Sequence, residues 1–198
     1  MSIAIVGWGS LIWCPGSLRI KTPWRLDGPR LPIEFARISR DGRLTLVIHP
    51  GTEDQRTCWA LSELEELSDA RDNVQEREGA KLGDIHYLDR SGDVAEGIPP
   101  EVARTISEWL DAHRDVRAAI WTGLPSNWRE KRGREFSAAD AIRYLEELEV
   151  AADRRKVTYD RAREYVRNAP PGVETVVRKA MRARGWTDAR LPGILFGS

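Results

Sequence analysis

The chain opens with Ile3, Ala4, Ile5 and Val6, an apolar run without helical spacing that predicts a buried strand. It runs directly into Gly7-Trp8-Gly9-Ser10-Leu11-Ile12-Trp13. Residues 14–32 are rich in Pro and Gly and read as a long loop containing Trp24; loops of that length in a compact domain tend to carry function. Alternating apolar positions predict a strand over 33–39, Asp41-Gly42 marks a turn, and 43–49 reads as the returning strand. Pro50-Gly51 breaks the pattern, and 56–61 reads as one further strand. Three strands in meander order predict an antiparallel sheet or small barrel.

Helical periodicity begins next. Ser62 with Glu65 forms a capping box that predicts a helix start, with Leu64, Leu67 and Val74 on one face. The helix ends near Arg77-Glu78, with Gly79 just past its last turn. Residues 83–88 alternate as a strand, Ile85 and Tyr87 facing one way, His86 and Leu88 the other. Pro99-Pro100 starts a second helix with Val102, Ile106, Trp109, Leu110 and His113 on its buried face. Periodicity leaves 116–121 open between strand and helix. Residues 123–128 read as a loop, and Ser137 with Asp140 caps a helix with Ala141, Ile142, Leu145 and Leu148 as its core stripe. From about residue 149 the chain turns basic, through Arg154, Arg155, Lys156, Arg161, Arg163, Arg167, Arg178, Lys179, Arg182, Arg184 and Arg190. Two short helices are expected there, broken at Pro170-Pro171-Gly172 and ended by Gly185. The charges read as a solvated helix face in preference to a nucleic-acid arm.

The predicted fold class is therefore mixed α+β. It consists of a small, largely antiparallel β-barrel with surrounding helices over 1–149, and a basic helical extension over 150–198, packed on the domain or appended to it.

Composition narrows the function. With 198 residues, 41% hydrophobic and 31% charged, the chain is a globular domain with a sizeable core. Its 31 basic and 31 acidic residues cancel, which argues against nucleic acid as the main partner. Cys14 and Cys58 lack metal-ligand spacing and read as free thiols in a reducing compartment. His49, His86 and His113 are scattered and form no zinc motif. The short apolar start lacks the basic flank of a signal peptide, and no run is long enough to span a bilayer, so a cytoplasmic protein without membrane partners is expected. Most of the eight tryptophans are expected in the core or a pocket wall.

The Gly7-Trp8-Gly9-Ser10 stretch reads either as a plain strand-to-turn transition or as a ligand loop whose bare N–H groups suit a carboxylate or an oxyanion. It lacks the third glycine and the Lys-Ser/Thr of phosphate loops. No Gly-x-Ser-x-Gly elbow or His-Asp partner supports Ser10 as a nucleophile.

Together with Cys14-Pro15-Gly16, the stretch resembles the gamma-glutamylcyclotransferase family, closest to its ChaC-type, glutathione-specific branch, which reads Gly-Tyr-Gly-Ser-Leu-Ile/Met-Trp with Asn-Pro-Gly after it. The Arg77-Glu78 pair before Gly79 is similar to the family's Arg-Glu pair. Residues 45–50, the strand around Trp59 and Gly123-Leu124-Pro125-Ser126-Asn127 follow in family order. The resemblance covers roughly residues 1–149 and departs from the family in two places. Trp8 replaces the loop tyrosine and removes a hydroxyl, and Leu82-Gly83-Asp84 replaces Gly-Gly-Tyr.

The resemblance implies a gamma-glutamylcyclotransferase-like fold and a cofactor-free, metal-free enzyme that releases 5-oxoproline from glutathione or a related γ-glutamyl compound. Glu78 would be the catalytic acid–base, and Gly7, Trp8, Gly9, Ser10, Leu11 and Trp13 the substrate-binding residues. The partner is then a small γ-glutamyl substrate, and a homodimer is left open. Arg77 reads as a structural ion-pair partner. Two alternatives stand beside this reading: another γ-glutamyl amine reaction in the same pocket, and a non-enzymatic binding module that uses the basic tail.

Overall fold

The computed structural model describes residues 1–189; Arg190 and the side chains of Arg154 and Arg155, named in the basic run, lie outside the described residues. The first strand, β1 (Ser2–Gly7), is central. It pairs antiparallel with β5 (Cys58–Leu61) and parallel with β7 (Val116–Thr122), and β6 (Ile85–Asp89) completes a four-stranded sheet on the far side of β7. A strand buried on both faces carries an unbroken apolar run, and β1 divides that run strictly. Ile3 and Ile5 join one core cluster, Ala4 and Val6 the other. The ambiguous 116–121 segment is β7, with Ala118, Ala119, Ile120 and Trp121 all buried.

A second sheet holds β3 (Leu44–Ile48), β2 (Arg30–Ile38) and β4 (Asp54–Arg56), in that spatial order. The expected meander and barrel are thus corrected: among the described residues the strands form two small sheets and no closed barrel. The segment read as one strand over 56–61 is two strands in different sheets, separated at Thr57. Its buried hydroxyl donates to the Pro29 carbonyl at 2.7 Å, and there the chain crosses from β2 to β1. β1 and β2 each have both edges occupied, so neither can join the sheets into a ring. Four of the five strand pairings are antiparallel, as expected.

Helix α1 (Leu67–Glu78) covers one face of the first sheet through Ala70 and Val74. It starts later than the Ser62-Glu65 pattern predicts. The Ser62 N–H donates to the Ile3 carbonyl at 2.9 Å, which keeps Ser62 extended on the sheet, and its hydroxyl accepts from the Leu64 N–H in a turn. The helix ends as predicted at Gly79, whose φ of 60° is the left-handed conformation glycine adopts at low cost. Helix α2 (Pro100–Ala112) buries Val102, Ile106, Trp109 and Leu110. A short helix α3 (Trp128–Arg132) begins at Trp128, the last residue of the stretch read as a loop. In α4 (Ala138–Val150) the Ser137 hydroxyl accepts from the Asp140 N–H at 3.1 Å, the cap the sequence predicts.

Past residue 149 the chain continues into α5 (Ala152–Arg167) and α6 (Val176–Ala183). Ala162, Tyr165, Val166, Val177 and Met181 belong to the same core cluster as β1, β2 and α2. Several arginines of the run are paired: Arg161 with Asp41, Arg182 with Glu174 and Asp188, and Arg184 with Glu146. Arg178 is 2% exposed and donates to the carbonyls of Pro170 and Val173. All the tryptophans except Trp13 are buried. Among the described residues, no helix is long and apolar enough to cross a membrane.

Candidate active site

The turn after β1 is built by its own backbone. The Ile12 N–H donates to the Gly9 carbonyl and the Cys14 N–H to the Ser10 carbonyl. Trp24 packs against Gly7, and the Trp8 indole N–H donates to the Leu46 carbonyl at 3.2 Å. From the opposite side, α1 presents Asn73 and Arg77, four residues apart and so on one helix face. Asn73 accepts from the Arg19 N–H at 2.8 Å and donates to the Ser17 carbonyl at 3.0 Å. Arg77 donates to the Cys14 and Pro15 carbonyls and to the Ser10 hydroxyl. These two side chains fix the loop after β1 against the end of α1.

Arg77 also pairs with Glu78, its Nη1 lying 2.5 Å from Oε1. Glu78 has 17% of its side chain exposed and faces a cavity of about 180 Å³. That cavity is lined by Gly7, Trp8, Gly9, Ser10 and Leu11 from the loop, and by Arg37, Arg43, Thr45 and Tyr165 from elsewhere. Five of the six residues predicted to bind substrate thus meet the predicted acid–base around one space. The sixth, Trp13, lines an adjoining cavity with Cys14, Arg77, Arg161 and Glu164; Ser10, Arg43, Glu78 and Tyr165 border both. The competing acids Glu63, Glu65, Glu66 and Glu76 line neither cavity.

Burial pushes the Glu78 carboxyl above its ordinary value, against the pull of the Arg77 and Arg43 charges. Its position in the last turn adds to this, because the carbonyl end of a helix disfavours a negative charge. The result is a carboxyl held near cations yet costly to ionise, a combination suited to taking and returning a proton. Among the described residues, no three His, Cys, Asp or Glu side chains come together as a metal site.

Four lining residues escape the sequence reading. A register shift in the β2–β3 pairing sets Arg37 opposite Thr45, and both border the cavity. Beyond the end of its pairing with β4, β2 is held by Asn127, which accepts from the Ile38 N–H and donates to the Ile38 carbonyl, while Ser126 donates to the Ala36 carbonyl. Arg43 follows the Asp41-Gly42 turn and lies 5.3 Å from the Tyr165 ring centre. Tyr165 arrives on α5, where its ring meets Trp13 at 5.1 Å and Phe35 at 6.3 Å, both edge-on. Its hydroxyl lies over Gly9 so closely that any Cβ there would collide with it. The Asp41-Gly42 turn was a usable signal for Arg43; nothing local marks Tyr165.

Comparison of the chain with protein-family models, with curated proteins and with solved structures finds no match.

Proposed function

We propose that this chain is a cofactor-free gamma-glutamylcyclotransferase-like enzyme, with the fold that name implies, releasing 5-oxoproline from glutathione or a related γ-glutamyl compound. The observation that carries the reading is the meeting of Glu78 with the loop of residues 7–11 around one small cavity. In the reaction, the substrate α-amine loses a proton to Glu78 and attacks its own γ-carbonyl. The carbonyl electrons move onto oxygen, and their return breaks the amide C–N bond. The leaving amine takes the proton back from Glu78. One carboxyl serves both proton steps, and an elevated pKa suits it to both. Arg43 and Arg37 supply positive charge for the substrate α-carboxylate.

The test is 5-oxoproline release from glutathione and from a panel of γ-glutamyl amines, with Glu78→Gln alongside. Wild type releases product, and the folded variant loses about two to four orders of magnitude in turnover. No release from any γ-glutamyl compound, or near-normal release by Glu78→Gln, overturns the reading.

A further inference from the structure

The backbone N–H groups of Gly9, Ser10 and Leu11 are the obvious donors for an oxyanion, and a phenol lies among them. The Tyr165 hydroxyl lies directly over Gly9, beside the Ser10 backbone. That hydroxyl has a proton of its own to give. No acceptor among the described residues takes that proton. Glu78 acts on the phenol as a nearby charge, without a hydrogen bond between them. Burial and that charge push the phenol up to about 12, so it stays protonated across the physiological range. Tyr165 borders both cavities at the wall they share, beside Glu78 and Ser10. The loop has Trp8 where a tyrosine would place a hydroxyl, and the Trp8 indole N–H is spent on Leu46.

We propose that Tyr165, delivered by the C-terminal helix α5, is a catalytic residue that donates its O–H to the oxyanion formed when the α-amine closes on the γ-carbonyl. The proposal rests on the cyclotransferase reading. The nearby Ser10 backbone favours negative charge on the phenol oxygen, against burial and the Glu78 charge. When the carbonyl electrons move onto oxygen, the Tyr165 O–H shortens its hydrogen bond to that oxygen and keeps its proton. When the electrons return and the amide C–N bond breaks, the bond relaxes. Such a donor works chiefly in the transition state, because charge sits on the oxygen only then. The extension is thereby part of the active site.

The test uses full-length Tyr165→Phe, which keeps the ring against Trp13, Phe35 and Arg43 and removes only the hydroxyl. Steady-state 5-oxoproline release is measured with the γ-glutamyl substrate wild type turns over best, and thermal melting checks the fold. A folded variant with kcat reduced about 10²–10³-fold and KM nearly unchanged is the expected result. If the Phe variant fails to fold, Tyr165→Met repeats the measurement with an apolar side chain of similar reach. A folded variant with wild-type kcat, or one changed in KM alone, overturns the role of Tyr165 and leaves the cyclotransferase reading standing. A wild type that yields no 5-oxoproline from any γ-glutamyl compound overturns both.

Discussion

The turn after β1 and helix α5 border the same cavity, yet different forces hold them there. The turn is fixed by polar contacts. Its own carbonyls accept from Ile12 and Cys14, and Arg77 reaches in from α1 to three of its atoms or their neighbours. Helix α5 has no comparable bracket around Tyr165. Ala162, Tyr165 and Val166 are placed by apolar burial and by edge-on ring contacts to Trp13 and Phe35. Hydrogen bonds are directional and act locally, so damage to the turn stays local. Dense packing transmits strain, so damage to the bed of α5 is felt along the helix. A site built half one way and half the other has two distinct modes of failure.

The largest expected effect comes from the bed of α5. Arg178→Ala strips the buried donors from the Pro170 and Val173 carbonyls, between α5 and α6. The Pro170 carbonyl keeps the Val173 N–H, but the buried Val173 carbonyl is left unpaired and the Arg178–Asp188 ion pair is lost, at a cost of about 2–3 kcal/mol, read from urea unfolding of the variant. A cost near zero would mean that the helices are held by something other than this arginine. The next effect falls where the two regions touch. Gly9→Ala drives a methyl group into the Tyr165 hydroxyl and costs about 1–3 kcal/mol. Combined with Tyr165→Phe the penalty shrinks, because the nearest remaining ring atom is 3.4 Å away. Double-mutant stabilities that simply add would show that turn and helix do not meet as described.

The smallest effect concerns the turn side alone. The Glu78 carboxyl is raised in the folded state, so its protonated form favours folding and its ionised form opposes it. That contribution is complete below the ordinary glutamate value of about 4.3 and is lost as pH rises through the elevated folded value. Glu78→Gln therefore melts higher than wild type near neutral pH, and the difference closes in acid; melting curves across that range check the sign. Activity runs the opposite way, since the base must be ionised. Its acid limb lies above about pH 4.3, and a limb at or below that value would remove the case for a buried base.

The same division explains what could be read in advance. The strand, the glycines of the turn, the cap at Gly79 and the Arg77-Glu78 pair are all local patterns, and local patterns survive in one dimension. β1, the end of α1 and the Ser137 cap stand where periodicity and capping place them. The failures are matters of pairing. Ser62 carries a sound capping signal, but a bond to Ile3 overrides it. Residues 56–61 look like one strand because nothing in their alternation shows that Thr57 hands the chain from one sheet to another. Tyr165 sits in a run of arginines whose charge draws attention away from it, and its place beside Gly9 depends on the docking of α5.

The central position of β1 has a consequence for how the molecule is made. Strand β1 has a partner on each side, and its parallel partner β7 is synthesised more than a hundred residues after it. Until then its apolar face and one row of backbone groups stay open in the nascent polypeptide. Contacts so distant in sequence slow folding, and an unpaired strand edge is prone to join the wrong neighbour. The strand at the centre of the first sheet therefore waits unpaired on one side, and the cavity beside it gains its last wall only when α5 brings Tyr165.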